Sequence, residues 1–154
     1  MGSSPVNRFE PRDPDYRETL AGYVAAQSYL GLIGASLGAV APGDVEYRVP
    51  FRREIGQQNG FFHGGVIGGI AEAVMGAAAS TLAAVGSNVV GAEYKINLLS
   101  PALGPLLVAR GIVVKPGRTL IVCRADVEVE DEHGARTLCA IAQGAMAVIA
   151  PRAG

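Results

Sequence analysis

The sequence predicts one α+β domain, in which a long antiparallel sheet wraps around a central apolar helix. Its 154 residues fit the usual size of roughly 100–200 residues per domain. Two patterns indicate this architecture: residues 88–149 alternate in long strand-like segments with short turns, and residues 64–85 carry a single charge, Glu72. Strands joined by such short connections pair antiparallel, because a parallel neighbour needs a longer crossover. Long strands twist strongly enough to curl around a helix.

The first fifty residues predict an arm, a helix and a strand. Three prolines and mixed charges indicate an irregular arm over 1–14, so the domain is expected over 15–150, with a tail at 151–154. Apolar residues at helical spacing run from Asp15, a suitable N-cap, to Ile33 and predict an additional N-terminal helix. Alternation of period two over 45–51 predicts a half-buried strand.

The rest of the chain predicts the central helix and four strands. After a polar connection, the apolar run 64–85 is expected to be helical throughout. Strands are expected at 88–99, 106–115, 119–130 and 136–149. Pro116 and Gly117 suit a type II turn between two of them. We therefore predict a meander, in which each of these strands pairs with the next along the chain.

Composition excludes several classes of partner and site. A net charge of -1 lacks the basic footprint of a nucleic-acid-binding protein. Cys123 and Cys139 lie far apart in apolar segments, which predicts reduced core residues and no metal site. The sequence has no secretion signal, and no Lys or Arg flanks the run 64–85, so we expect a cytoplasmic protein without a membrane span. Charged residues make up 18%, against about 25% typically, which predicts surface covered in a homo-oligomer.

One face of the predicted central helix consists of small residues. Apolar side chains from Val66 to Thr81 share one side of a helical projection, and Glu72 lies opposite among small residues. These are Gly65, Gly68, Gly69, Gly76 and Ala79. Each interior glycine costs roughly 1 kcal/mol of helix propensity, so the face implies close approach of another backbone or a ligand. A carboxylate there is partly desolvated, which raises its pKa and favours a base or nucleophile. Otherwise, Glu72 is the exposed polar residue of an amphipathic helix.

The segment from Gln57 to Gly65, followed by Glu72, resembles the active-site signature of hotdog-fold acyl-CoA thioesterases. That signature has an Asn or Gln six residues before a His, a Gly three before it, a His-Gly-Gly and an acidic residue nine after the His. Gln57, Gly60, His63, Gly64, Gly65 and Glu72 supply these elements. The nearest group contains the phenylacetate-pathway and 4-hydroxybenzoyl-CoA thioesterases, and the resemblance covers about residues 20–150. It implies the hotdog fold, a long antiparallel sheet around one central helix.

The resemblance also implies hydrolysis of an acyl-CoA to a free acid and coenzyme A, with a mild preference for a small aromatic acyl group. The Gly64 N–H, at the helix start, is expected to polarise the thioester carbonyl. Glu72 would act as general base or as nucleophile. Gln57 would bind the thioester or orient water, and His63 would shape the turn or hydrogen-bond near the carbonyl. The family's site lies at a dimer interface, so a homodimer or homotetramer is expected, with coenzyme A only as part of the substrate.

Further contacts and alternatives follow from the same resemblance. The expected substrate-binding residues are Gly60, Gly65, Phe61 and Phe62 near the acyl group, and Arg118 and Thr119, with Lys115 and Arg110, near the coenzyme A phosphates. The phenylalanines equally suit a dimer contact, and the charges equally suit ordinary solvation. Gly91 stands where some members have a Ser or Thr that positions water, so water is held differently or activity is weaker. The alternatives are a hotdog hydratase or dehydratase, and a non-catalytic acyl-CoA-binding module.

Overall fold

The computed structural model describes residues 9–151, so residues 1–8 of the predicted arm and 152–154 of the tail lie outside the described residues. The described residues form three α-helices, a short 3-10 helix at Arg53–Ile55 and six strands. In chain order, the α-helices and strands are α1 (Tyr16–Ala26), α2 (Ser28–Ile33), β1 (Ser36–Ala41), β2 (Asp44–Pro50), α3 (Gly64–Ser80), β3 (Asn88–Leu98), β4 (Leu106–Lys115), β5 (Leu120–Glu130) and β6 (Arg136–Ile149). All six strands form one antiparallel sheet, in the order β1-β2-β4-β5-β6-β3. The predicted sheet around one central helix is confirmed.

The additional N-terminal helix predicted over 15–33 is confirmed, but it is divided into α1 and α2, because Gln27 adopts an extended backbone between them. On one straight helix, Leu20 and Ile33 would point about 140° apart. The break turns both side chains into the core, where they are buried. The Asp15 side chain also makes no cap; instead, the Asp13 carboxylate accepts hydrogen bonds from the Asp15 N–H and the Thr19 hydroxyl, at 2.9 and 2.8 Å.

The central helix begins at Gly64 as predicted but ends at Ser80 rather than at 85. Thr81 follows it, fully buried, and its hydroxyl donates to the Ala78 carbonyl at 2.7 Å. The same hydroxyl accepts from the Gly43 N–H at 2.7 Å. The helix end is therefore fixed by the turn between β1 and β2, and β1 itself was not predicted from the sequence.

The predicted meander is correct only for β4, β5 and β6. Strand β3 pairs with β6 rather than with β4, and β2 takes the place beside β4. The exposure pattern agrees with this order, because no residue of β3 is buried whereas half of those in β4 are. Glu93 and Lys95 on β3 are residues typical of an edge strand. The connection after β3 therefore carries the chain past β6 and β5, to a position between β2 and β5.

Helix α3 packs against one face of the sheet, in direct backbone contact with β4. A Cβ at Gly111 of β4 would lie 2.3 Å from the Val74 carbonyl oxygen and 3.0 Å from the Met75 nitrogen. Around this contact, Ile70, Val74 and Met75 are fully buried. The close backbone approach expected from the helix glycines is thus made by a strand glycine instead. Within residues 9–151, no helix has the length and apolar character needed to cross a membrane.

Candidate active site

The start of α3 presents one free backbone donor. His63 is the N-cap, and its Nδ1 accepts from the Gly65 N–H at 2.8 Å, so Nε2 is the nitrogen that carries the proton in the neutral ring. The Val66 N–H donates to the His63 carbonyl at 2.9 Å. Among residues 9–151, the Gly64 N–H has no hydrogen-bond partner. It points out of the positive end of a 17-residue helix, where a developing negative charge is stabilised.

Gln57 is held next to this donor by a tight turn. The Gln57 N–H donates to the Phe61 carbonyl at 2.9 Å, and the Gly60 N–H donates to the Gln57 carbonyl at 3.0 Å. Gly60 has a φ of 81°, which glycine adopts without strain. The conformation of the turn therefore explains why a glycine is found at this position. The Gln57 Oε1 accepts from the Asn59 N–H. The Nε2 group therefore remains as a donor.

Gln57 and Gly64 open into one cleft of about 430 Å³, here called the α3 cleft. Phe61 is half-buried on its wall, and Phe62 is buried, with its ring edge-on to Phe51 at a centroid distance of 5.1 Å. Phe62 thus belongs to the core as well as to the cleft wall. The far wall contains the end of β3 and the following residues to Ala102.

Glu72 lies about 12 Å along the helix axis from Gly64, at 1.5 Å per residue. Its carboxylate lies against Gly91, where a Cβ would be 2.3 Å from Oε1. Glu72 is half-buried, and this burial raises the pKa of its carboxyl group above the ordinary value. No described residue pairs with it by a hydrogen bond or an ion pair. Glycine at 91 therefore provides space for the carboxylate, which a Ser or Thr would obstruct in this conformation.

Glu72 opens into a different cleft of about 590 Å³, here called the α1 cleft. Its walls come from α1, from α3 beyond Glu72, from Tyr47 of β2 and from the first four residues of β3. A Cβ at Gly76 would meet nothing within 4 Å, so this glycine widens the cleft. Gly68 and Ala79, expected on the same face, are buried instead.

Two tyrosines that the sequence reasoning missed lie against the helix one turn before Glu72. A Cβ at Gly69 would lie 2.2 Å from the Tyr29 hydroxyl, and one at Gly68 would lie 3.3 Å from the Tyr94 hydroxyl. Burial raises the pKa of Tyr29, and the neighbouring Tyr94 raises it further. In the sequence, the pair Gly68 and Gly69 was the feature that could have indicated packing of side chains from other elements against the helix at this point.

The residues expected near coenzyme A divide into two groups. Lys115, Arg118 and Thr119 are exposed at the turn between β4 and β5. Arg110 instead forms a bidentate ion pair with Asp44, with Nε donating to Oδ1 at 2.8 Å. Its guanidinium is therefore already paired with a carboxylate of the neighbouring strand β2. Within residues 9–151, no three His, Cys, Asp or Glu side chains are grouped as metal ligands would be.

The sequence model of the thioesterase superfamily matches residues 59–136, which include the start of α3 and Glu72. The chain belongs to the thioesterase superfamily. A solved structure of a thioesterase family protein from Silicibacter pomeroyi is 31% identical to it, covers 88% of this chain and 98% of that chain, and has a TM-score of 0.85. A relative from Haemophilus influenzae is 26% identical over 126 residues, which are 82% of this chain and 88% of that protein. That relative is named as an esterase by provisional assignment.

The fold of this thioesterase-superfamily protein is also shared with more distant structures. The E. coli PaaI protein from the phenylacetic acid degradation operon is 15% identical, covers 89% of this chain and 95% of that chain, and has a TM-score of 0.77. The family and the hotdog fold expected from the sequence are confirmed. Thioester hydrolysis is the general chemistry that the superfamily and its relatives' names support.

Proposed function

We propose that the protein hydrolyses acyl-CoA thioesters at a site shared by two copies of the chain. The observation that carries this proposal is the separation of the two functional groups within one chain. The Gly64 N–H opens into the α3 cleft and Glu72 opens into the α1 cleft, about 12 Å apart along the helix. A single thioester group cannot contact both groups in one chain. A second copy is needed to bring them together.

The register of β3 along α3 indicates how two copies complete the site. Gly64 lies beside Leu98, where a Cβ would be 3.4 Å from Cδ1, and Glu72 lies beside Gly91. In the described part of the chain, one edge of β3 has no neighbouring strand, and an exposed edge readily pairs with another chain. An antiparallel pair of β3 strands with its two-fold axis at Lys95 brings Leu98 of one copy beside Gly91 of the other, across the irregularity between Gly91 and Glu93. The Gly64 donor then faces the Glu72 carboxylate of the second copy.

The proposed reaction uses each group according to its chemistry. The Gly64 N–H and the helix dipole polarise the thioester carbonyl, and Gln57 Nε2 is a second donor nearby. Glu72 either takes a proton from water as it attacks the carbonyl, or attacks directly to form a mixed anhydride that water then cleaves. Both routes release the acid and the coenzyme A thiol. The raised pKa of Glu72 makes its carboxylate a stronger base than an ordinary one.

Two further expectations belong to this proposal. Arg118, on the exposed turn, is the residue that we expect to bind a phosphate of coenzyme A. His63 acts through the helix start that it caps, because its Nδ1 already accepts a backbone hydrogen bond. A hydratase mechanism, which relies on the histidine for proton transfer, is less favoured by this geometry.

Free-thiol release from a panel of aryl, short-chain and long-chain acyl-CoAs tests the activity. Glu72→Ala should abolish thiol release while the chain stays folded. Gly64→Pro removes the backbone donor, and proline is well tolerated at the first helical position, so it should also abolish activity. Gly64→Ala keeps the N–H and introduces only an ordinary 3.4 Å contact, which makes it the matched control. Full activity in Glu72→Ala would contradict the site, and tight acyl-CoA binding without cleavage would favour a binding module.

A mixing experiment tests the shared site. Glu72→Ala and Gly64→Pro chains are unfolded together, refolded and assayed. Because about half of randomly formed dimers are mixed and each mixed dimer has one unaltered site of two, about a quarter of the original activity should return. No recovery from chains that do form mixed dimers would show that each site lies within one chain.

A further inference from the structure

Tyr47 is a buried polar residue on the wall of the α1 cleft, next to the proposed reaction site. It lies on β2 and is 0% exposed. Its hydroxyl oxygen is the one buried side-chain nitrogen or oxygen atom among residues 9–151 that has no hydrogen-bond partner. Glu72 lines the same cleft. Tyr47, whose hydroxyl is unpaired, and the reacting Glu72 therefore line one cavity.

An unpaired hydroxyl in a protein interior is destabilising, because it has lost its bonds to water without replacement. Phenylalanine would fill the same space without that cost. Burial also raises the pKa of Tyr47, so its O–H stays protonated and is a hydrogen-bond donor. A polar group of this kind in a ligand cleft typically fixes the orientation of a bound molecule.

The rest of the cleft suits a small acyl group with a polar end. Its volume of about 590 Å³ lies within the range of small-molecule sites, roughly 300–1,000 Å³. Leu20, Val89 and Ala77 supply apolar wall, and Gly76 leaves open space. No surface of Tyr47 is exposed in the free chain, so a ligand reaches its hydroxyl only after a lining side chain moves.

Building on the proposed hydrolysis, we propose that the α1 cleft holds the acyl group and that the Tyr47 hydroxyl selects acyl groups carrying an oxygen substituent. That substituent is a hydroxyl or carbonyl oxygen on the acyl chain or ring, distant from the thioester. It accepts the hydrogen bond that Tyr47 lacks in the free chain. An unsubstituted acyl group would leave the hydroxyl unpaired in the complex, and discrimination by such a site is strong for this reason.

The test compares pairs of acyl-CoAs that differ only in one oxygen substituent, over short straight-chain and single-ring acyl groups. For the best pair, we expect the native chain to show a kcat/KM at least about 10-fold higher for the substituted member. Tyr47→Phe should bring this ratio close to one by lowering kcat/KM for the substituted member alone. Tyr16→Phe, on α1 and outside the cleft, should leave the ratio unchanged.

Stability separates a selecting role from a structural one. Tyr47→Phe should keep or raise the Tm, because it removes an unpaired hydroxyl and retains the ring. A lower Tm with an equal loss for both members of a pair would show that the hydroxyl holds a structural water, and would overturn the proposal. A ratio that Tyr47→Phe does not change would overturn it as well.

A binding measurement distinguishes this proposal from the proposed hydrolysis. If the native chain cleaves no thioester, calorimetric titration with the free acids of the same pairs still measures their affinity for the α1 cleft. Tighter binding of the substituted acid that is lost in Tyr47→Phe would support the selecting role even without catalysis. Equal binding of both acids, or no binding of either, would overturn it.

Discussion

Gly111→Ala tests the backbone contact between α3 and β4 on which the fold depends. The added Cβ would lie 2.3 Å from the Val74 carbonyl oxygen, 2.6 Å from its carbonyl carbon and 3.0 Å from the Met75 nitrogen. Ordinary van der Waals contacts of a Cβ begin at about 3.4 Å, so helix and strand must separate by about 1 Å. All three obstructing atoms belong to the backbone, and no side-chain rotation can relieve the clash.

The expected cost follows from two opposing effects. Overpacking a core costs typically about 1–3 kcal/mol, and a clash with backbone atoms on an otherwise close-packed helix should lie at the upper end. Replacing glycine lowers the entropy of the unfolded chain, which returns roughly 0.4–1 kcal/mol. The net loss is therefore about 2 kcal/mol. For a chain of this length, a loss of that size lowers the Tm by about 4–8 °C.

Thermal unfolding followed by circular dichroism, at one fixed chain concentration, measures this loss. Gly22→Ala is the matched control, because Gly22 lies in α1 and a Cβ there meets nothing within 4 Å. It should raise stability by up to about 1 kcal/mol, as helix propensity requires. If Gly111→Ala left the Tm unchanged or raised it, the direct contact between α3 and β4 would not exist as described.

Four further predictions concern the ends of α3 and the Glu72 carboxylate. Thr81→Val should lower the free energy of unfolding, measured in urea, by about 1–3 kcal/mol, because it leaves the Gly43 N–H without its acceptor. Thr81→Ser keeps a hydroxyl and should recover most of this loss. Equal losses in the two variants would exclude the hydrogen bond as the cause. His63→Ala should lower the free energy of unfolding by about 1 kcal/mol, because the helix loses its cap. His63→Asn provides another capping side chain and should restore stability and much of the activity. A His63→Asn variant that is stable but inactive would indicate a chemical role for the imidazole. Since burial raises the pKa of Glu72, activity should rise with pH through a pKa above the ordinary glutamate value. An activity profile whose acid limb lies at the ordinary glutamate pKa would contradict this desolvation. For the same reason, Glu72→Gln should be more stable than the native chain at neutral pH, and this difference in stability should disappear as the pH falls below the ordinary carboxyl pKa.

The elements that local patterns determine were predictable from the sequence. The start of α3 at Gly64 follows from the His-Gly-Gly step, because the histidine caps the helix with its own side chain. The long strands follow from alternation of period two, and burial of alternate residues in β5 matches it. These features depend on neighbours close in sequence, so they need no knowledge of the folded chain.

The missed features depend on residues far apart in the chain. Strand β1 is rich in small residues and is recognisable mainly through its pairing with β2, as between Leu37 and Tyr47. The end of α3 depends on Thr81 and Gly43, 38 residues apart. Signature spacing could identify the candidate groups at Gly64 and Glu72. It could not reveal that they open into different clefts, because that depends on how α3 packs against α1 and β3.

The glycines of this chain show how residues of one type serve separate needs. Gly111 permits two backbones to touch, Gly91 leaves space for the Glu72 carboxylate and Gly76 leaves a cleft open. Only the first of these is a packing requirement, and the other two keep space free beside a partly desolvated acidic group. Helix propensity alone would favour alanine at Gly76, and no steric contact opposes it there. The glycine is therefore best explained by the volume it leaves beside Glu72, which is where the proposed acyl group would lie.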